Sequence, residues 1–283
     1  VNYRHAFHAG NFADCVKHAL LVTLLRGLLA KDRPFRVLDT HAGIGAYDLS
    51  APEPQRTGEW RDGIARVMAS GDPALAEFQA IVRGAGWPAA YPGSPALVRA
   101  LLRPDDRLLL CELHPEDAAT LKARFRRDPQ VAVHARDAWE ALTALTPFPE
   151  RRGLVLIDPP FEQEGEFDRL TRGIAALRHR FRAAVVAAWY PVKHRAPVRA
   201  FHAALRDTPF AGGGTGVPDC LACELVLREP TDPTRLNGCG LLVANAPFGF
   251  EARAAALLAA LLAALGRGED GAGTSVTRVT AER

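Results

Sequence analysis

The chain has 283 residues, 48% hydrophobic and 24% charged, with a formal net charge of +3. Such a composition excludes a disordered, collagen-like or disulfide-knotted protein, and so small a charge does not by itself point to a nucleic-acid or membrane partner. The length allows a core that removes roughly 70–75% of the unfolded chain's surface. It is awkward for either one or two domains of roughly 100–200 residues each.

Of the 35 basic side chains, only Lys17, Lys31, Lys122 and Lys193 are lysines. Arginine is the better phosphate fork. Five cysteines, an odd number scattered through apolar runs, predict reduced thiols rather than a secreted framework. Val1-Asn2-Tyr3-Arg4-His5 opens without an apolar signal core. The longest apolar stretch, Ala254 to Gly266, has 13 residues, against about 20 needed to span a bilayer. Its leucines share one helical face, as in a docked core helix. A soluble, cytoplasmic protein is expected.

In chain order, Asn11 to Lys31 predicts an apolar helix, and Phe35 to Leu38 a strand that runs into Asp39-Thr40-His41-Ala42-Gly43-Ile44-Gly45. Asp48 to Arg107 offers no convincing strand but two helix starts. Asp72-Pro73 precedes the apolar face Leu75, Phe78, Ile81 and Val82, and Ser94-Pro95 repeats the cap-and-proline chemistry. A structureless loop of that length is unfavourable in a compact domain, so residues 50–104 read as a small helical insertion. Residues 1–49 and 105–283 form the catalytic domain.

Further strand-like runs are Arg107–Cys111, Val131–Ala135, Leu154–Ile157, Ala183–Trp189, Leu221–Leu227 and Gly240–Asn245. Helical segments separate most of them, which argues for an α/β fold with a mostly parallel, seven-stranded sheet. The last two runs, joined by a short link, suit an antiparallel pair at one edge.

Ligands of open α/β sheets bind outside the carboxyl ends of the strands. Asp39 closes the first strand, and Gly43 and Gly45 permit a close backbone approach. Position 48 is Asp, not the third glycine of a dinucleotide site, and no Gly-Lys-Ser/Thr sequence exists for a phosphate loop. Glu112 ends the second strand and Asp137 follows the third. Each alone reads as a helix cap. Together with the glycine turn they suggest an adenosine-containing cofactor without a pyrophosphate.

The sharpest signal is Gly153-Leu154-Val155-Leu156-Ile157-Asp158-Pro159-Pro160-Phe161. Two prolines stiffen the chain as it leaves a buried strand and remove two N–H groups. The Asp158 carboxylate and Pro159 carbonyl then form a fixed acceptor pair, and Phe161 offers a ring for a flat partner. That pair suits an exocyclic amine of a nucleobase, whose lone pair must leave the ring plane before it can attack.

These motifs resemble those of Rossmann-like, S-adenosylmethionine-dependent amino-methyltransferases, and more closely the bacterial 23S ribosomal RNA adenine-N6 methyltransferase family RlmJ. The closer likeness rests on Tyr3 to Asn11 with Ala13-Asp14, Lys17-His18, Leu38 to Gly43, Tyr91 to Pro95, Glu112 to Pro115, Arg152 to Pro160 and Trp189-Tyr190-Pro191. The resemblance implies a class I methyltransferase in which His18, His41, Ser94, Glu112, Asp137 and Ala138 line the S-adenosylmethionine pocket beside Asp39, Gly43 and Gly45. Asp158 is then the catalytic carboxylate, with Pro159 and Phe161 beside it, and Tyr3, His5 and Lys17 face the RNA. Phe161 stands where the family usually has Tyr, and Ala138 where Gly is common. The implied substrate is 23S RNA, protein-free or early in assembly; the oligomeric state is left open, with a monomer favoured.

The basic clusters Arg124/Arg126/Arg127, Arg178/Arg180/Arg182 and Lys193/Arg195 are candidates for a phosphate track. Cys220 and Cys223 imitate half a zinc site, but residues three apart on a strand face opposite sides, so no metal is expected. Asn245-Ala246-Pro247-Phe248 echoes the Asp-Pro-Pro-Phe motif without its second proline. Rival readings are methylation of adenine in DNA or of a protein glutamine, or noncatalytic RNA binding on the same fold.

Overall fold

Helix α1 (Phe12–Leu29) starts where the Asn11 side chain accepts from the Asp14 N–H, and it buries 13 of its 18 residues. In the computed structural model, which describes residues 4–210 and 214–281, α1 leads into the central strand β1 (Arg36–Asp39). Two short strands, β2 (Ala46–Asp48) and β3 (Ala90–Pro92), pair antiparallel through Tyr47 and Tyr91. Between them lie α2 (Pro52–Thr57), α3 (Glu59–Asp62), α4 (Ile64–Ala69) and α5 (Ala76–Gly84). The interval read as strandless therefore contains β3. Three residues with a Pro at the end carry too little alternation to read as a strand.

Helix α6 (Ser94–Leu101) returns the chain to the main sheet. The rest runs β4 (Arg107–Cys111), α7 (Pro115–Phe125), β5 (Val131–His134), α8 (Ala138–Ala144), β6 (Gly153–Ile157), α9 (Glu166–Arg180), β7 (Ala184–Val192) and α10 (Arg195–Asp207). Two-residue strands β8 (Pro209–Phe210) and β9 (Gly214–Thr215) precede β10 (Cys220–Val226), β11 (Gly238–Ala244), α11 (Phe250–Leu265) and β12 (Gly273–Thr280).

The main sheet has eight strands in the order β12-β10-β11-β7-β6-β1-β4-β5. From β7 to β5 all neighbours are parallel, and β11, β10 and β12 add antiparallel steps. This is the α/β Rossmann-like methyltransferase fold with one strand more than expected. β12 escapes notice because Gly273-Thr274-Ser275-Val276-Thr277-Arg278-Val279-Thr280 is half polar, as an exposed edge strand should be. It displaces the β10–β11 pair from the edge.

Side chains on one sheet face pack with α1, α6, α7 and α11, and those on the other with α8, α9 and α10. Ile64, Val67, Phe78 and Val82 from α4 and α5 share the first core with α1 and α11. Cys220 lies in one core and Cys223 in the other, as strand alternation requires, and all five cysteines are buried thiols. No described helix is long and apolar enough to cross a membrane. The chain order reverses at β1, with β4 on one side and β6 on the other, so a crevice opens between the ends of β1 and β6.

Candidate active site at the carboxyl ends of β1, β4, β5 and β6

Asp39 ends β1 fully buried. Its carboxylate accepts from the Ser94 hydroxyl at 2.7 Å and the His41 N–H at 3.2 Å. Burial pushes its pKa up to about 6, against the pull of the Ser94 bond. Ser94 is not the cap of α6. Gly93 takes that position, and Ser94 becomes the first helical residue because its hydroxyl is committed to Asp39.

His41 lies between Asp39 and Asp158. Its Nδ1 accepts from the Asp158 N–H at 3.2 Å, which places the ring proton on Nε2. Burial lowers its pKa to about 4, so the ring is neutral at physiological pH. The Thr40 hydroxyl lies 2.8 Å from Nδ1 and 3.0 Å from the Leu156 carbonyl, with one hydrogen to share between them, and ties β1 to β6.

Gly43 and Gly45 have φ of +58° and +85°. On its Cβ side, Gly43 meets the Tyr47 hydroxyl, and Gly45 meets Leu121, Phe125 and Arg124 of α7. The glycines are therefore required by the turn and its packing, which settles the path of the loop without a ligand. That path aims the Gly43 N–H at Glu112 Oε2, 2.9 Å away, while Oε1 accepts from the His114 N–H at 2.8 Å. Burial raises the Glu112 pKa, and those backbone donors restrain the rise. Asp137 caps α8, with Oδ1 accepting from the Trp139 and Glu140 N–H groups at 2.9 and 3.1 Å. The cap leaves out the N–H of buried Ala138. The Trp139 ring stands edge-on to His41, centroids 6.4 Å apart.

Asp158 follows β6, and its carboxylate is held from α1. Lys17 Nζ bonds Asp158 Oδ2 at 2.5 Å and Asp14 Oδ1 at 3.0 Å. Burial opposes a charged Lys17, but Asp14 and Asp158 outweigh it and raise its pKa. Burial likewise opposes ionised Asp14, and His5 and Lys17 hold its pKa well below the usual range. His5 Nε2 lies 2.9 Å from Asp14 Oδ2, which also accepts the Gly10 N–H at 2.9 Å. Lys17, expected to face RNA, is only 5% exposed, and its ammonium reaches the motif carboxylate Asp158. His18 is buried with Nδ1 2.7 Å from the Tyr91 hydroxyl, and burial keeps it neutral. Its Nε2 lies 4.0 Å from Asp14 Oδ1, beside the amino-terminal network. Tyr3 lies outside the described residues.

Phe161 adopts φ +53°, a left-handed conformation that costs about 1–3 kcal/mol in a bulky residue. Its ring packs on Phe167 and Trp189, centroids 4.8 and 5.9 Å apart. Glu166, the first residue of α9, is buried, and burial raises its pKa.

Asp14 stands in the amino-terminal motif with no role assigned to it from the sequence. Its signal was an acid at i with Lys17 at i+3 and His18 at i+4 on an otherwise apolar helix. Glu166 carried no such signal, because an acid in a first helical turn is ordinary. Within the basic clusters, Arg178 is buried against the Arg182 and Ala184 carbonyls and Arg180 bonds those of Thr143 and Thr146. These two serve the fold rather than a phosphate track. The Asn245 echo is structural: its amide holds the Ala183 and Ala184 carbonyls, while Phe248 is exposed.

Residues 32–279 match the family described as "Ribosomal RNA large subunit methyltransferase D, RlmJ". The chain belongs to the RlmJ family of methyltransferases. It is 38% identical over 257 residues to ribosomal RNA large subunit methyltransferase J of Escherichia coli (strain K12). The Haemophilus influenzae protein of the same name is 36% identical over the same length, and each alignment covers 89% of both chains. A crystal structure of a Legionella pneumophila protein superposes with a TM-score of 0.85 at 32% identity, covering 96% of this chain and 98% of that one.

Proposed function

We propose that this RlmJ-family chain transfers a methyl group from S-adenosylmethionine to N6 of one adenine in 23S ribosomal RNA. The observation that carries the reading is the Asp158-Pro159-Pro160-Phe161 turn at the end of β6, beside the crevice where strand order reverses.

The strand-end acids fit this cofactor. Asp39, Glu112 and Asp137 are bonded by a hydroxyl and by backbone N–H groups, with no basic side chain within ion-pair distance among the described residues. Such a ring repels a diphosphate and suits ribose hydroxyls and a cationic centre. Glu112 keeps lone pairs for the ribose. Asp137 Oδ2 and the Ala138 N–H suit the amino group and a ring nitrogen of an adenine. S-adenosylmethionine supplies, when bound, a methyl group activated by its positive sulfur.

The target adenine must leave its helix or loop to reach this crevice. Phe161 takes its ring, and Asp158 with the Pro159 carbonyl accepts the two N6 hydrogens. Lys17 occupies Asp158 Oδ2, which leaves Oδ1 for the substrate. The acceptor pair stabilises positive charge growing on N6 as its lone pair leaves the ring plane, and fixed alignment supplies roughly 7–11 kcal/mol in the best cases.

Mass mapping of N6-methyladenine in 23S RNA from cells with and without the protein tests the substrate: one adenine should lose its mark. Purified protein should methylate the corresponding transcript, and Asp158→Ala should abolish this while keeping cofactor binding. A folded Asp158→Ala variant that works at the wild-type rate sinks the assignment.

A further inference from the structure

Two clefts flank helix α9, and they differ in charge. The one on the α10 side has Gln163, Glu166 and Asp168 in its lining and no basic residue. The other, of about 370 Å³, opens between α8 and α9. Its charged lining is Arg169, Arg172 and Arg180, with no acid. Helical periodicity explains the sorting, because positions 169, 172, 173, 176 and 180 fall on one face of α9. RNA carries a negative charge at every phosphate, so of these two clefts only the α8–α9 one suits it.

The basic cleft begins at the candidate active site. Trp139 lines it two residues after Asp137, and the ring stands edge-on to His41 with centroids 6.4 Å apart. Gly173 makes room for that ring, since a Cβ there would lie 2.9 Å from Trp139 Cζ3. Helices α8 and α9 both start at the carboxyl edge of the sheet. Trp139 and Arg169 therefore stand near the rim, and Arg172 and then Arg180 follow down the side. Arg180 is committed to the Thr143 and Thr146 carbonyls. The other two are available: Arg169 donates to the neutral Gln163 Oε1 at 2.8 Å, and the Arg172 guanidinium has no hydrogen-bond or ion-pair partner among the described residues.

We propose that the α8–α9 cleft carries the unpaired RNA strand on one side of the target adenine, with Arg169 and Arg172 on its phosphates and Trp139 against a base at the rim. The assignment rests on the RNA-adenine reading above. A cationic groove with an aromatic platform is the physical pattern of single-strand binding, and a guanidinium forks a phosphate with two parallel bonds. Three positions on a helix rise about 4.5 Å, so the two arginines can share one phosphate or take two in succession. Such contacts position the strand without reading its sequence. They act alike in the ground state and the transition state, so they belong to KM rather than kcat.

The test uses the full-length protein, the 23S transcript, and synthetic RNAs cut short on the 5′ or the 3′ side of the mapped adenine. Arg169→Gln with Arg172→Gln should raise KM for RNA about tenfold at about 0.1 M salt, with kcat and cofactor affinity within about twofold. Each phosphate contact on a single strand contributes about 0.7 to the slope of log affinity on log salt. The pair should therefore lower that slope by about 0.7–1.4, and Arg169→Lys with Arg172→Lys should restore it. Lys31→Gln with Arg33→Gln removes the same charge from exposed side chains before β1, at the opposite edge of the sheet, and should leave KM within about twofold. Ala176 is exposed in the cleft, so Ala176→Trp fills it with both arginines in place and should also raise KM about tenfold. One of the two shortened RNAs should bind wild type and the Arg169/Arg172 glutamine pair equally, which identifies the strand in the cleft.

A glutamine pair with wild-type KM and salt slope overturns the proposal. So does an equal loss from the Lys31/Arg33 pair, which would reduce the effect to overall charge. If both shortened RNAs still distinguish wild type from the glutamine pair, the arginines do not hold a flanking strand, and the proposal fails. If wild type transfers no methyl group to the transcript, the RNA-adenine reading itself fails and the strand path falls with it. Normal methylation by a glutamine pair with unchanged KM removes the path alone.

Discussion

The two halves of the sheet hold their carboxylates by different means. On the β4–β5 side, Glu112 and Asp137 are bonded by backbone N–H groups of nearby residues. On the β6 side, Asp158 is held by Lys17, 141 positions away in sequence. Backbone donors add no net charge and survive any side-chain substitution. A buried ammonium shared between two carboxylates is a single point of failure. The half proposed to hold the cofactor should therefore tolerate mutation, and the half proposed to hold the substrate should not.

The largest effect is expected at Lys17. Lys17→Met leaves Asp14 and Asp158 without their shared cation, and breaking a buried pair from one side costs about 3–5 kcal/mol. Urea unfolding measures this loss, and adding Asp14→Asn should recover part of it by removing one stranded charge. A Lys17→Met protein as stable as wild type would mean that the two halves do not differ in this way.

Asp158→Asn comes next. It keeps the shape and one carbonyl acceptor but removes the charge proposed to face N6. Loss of one such charge-stabilising group lowers kcat by about 10²–10³-fold, while calorimetry should find cofactor affinity within about twofold. Equal losses in kcat and cofactor affinity would merge the two halves into one unit.

Third is the pH response at the boundary between them. His41 has its folded pKa lowered to about 4 from 6.5, so between those values the unfolded chain binds more protons. Stability then rises with pH through that window and is lost as pH falls through it, by at most about 3 kcal/mol. Asp39 works in the opposite sense. Its folded pKa is raised to about 6 from 3.8, so its contribution is full below 3.8 and is lost as pH rises toward 6. In wild type the two slopes oppose each other. Other buried groups, His18 among them, titrate in the same window in both proteins and cancel on subtraction, so the difference in unfolding free energy, wild type minus His41→Phe, should rise from pH 4 to pH 6. A difference that does not change with pH would exclude the His41 contribution.

How much of this was legible follows from how local each signal is. Buried strands announce themselves by apolar runs, so Leu154–Ile157 falls within a residue of β6 and Arg107–Cys111 coincides with β4. Acids just past those runs located the crevice, because topology alone fixes where strand ends meet ligands. Long-range pairing was illegible. Nothing in Ala13-Asp14-Cys15-Val16-Lys17-His18 says that Lys17 will cross to Asp158, and only the folded sheet brings α1 over β6. β12 was missed because an edge strand needs only one buried face, and Gly273–Thr280 has little more than Val279 inside. The Ser94 cap was misassigned because a hydroxyl at a helix start has two possible partners, and the buried Asp39 carboxylate outcompetes a backbone N–H.

Glu112→Gln probes the cofactor half directly. The amide must set an NH₂ group against either the Gly43 or the His114 N–H, which breaks one of two backbone bonds. One such bond to a charged acceptor is worth about 1.5–3 kcal/mol. Relaxation of the exposed loop reduces this, and cofactor affinity should fall about tenfold at unchanged kcat. The fold should hold, since Gly43 and Gly45 are fixed by Tyr47 and α7 whatever stands at 112. Loss of folding in Glu112→Gln would show that the backbone frame is less autonomous than the β6 half.

The smallest effect is expected from Phe161→Tyr. The ring keeps its stacking face and its packing against Phe167 and Trp189, and the left-handed backbone is no more strained in Tyr than in Phe. What changes is one hydroxyl, which must find a partner beside two aromatic rings or point to the solvent. Phe161 is half-buried, so the exposed side offers that exit, and kcat/KM for RNA should stay within about twofold. A tenfold gain would show that the hydroxyl reaches the substrate. The contrast between the halves would then extend to specificity, with the β6 side carrying a missing polar contact where the cofactor side is already complete.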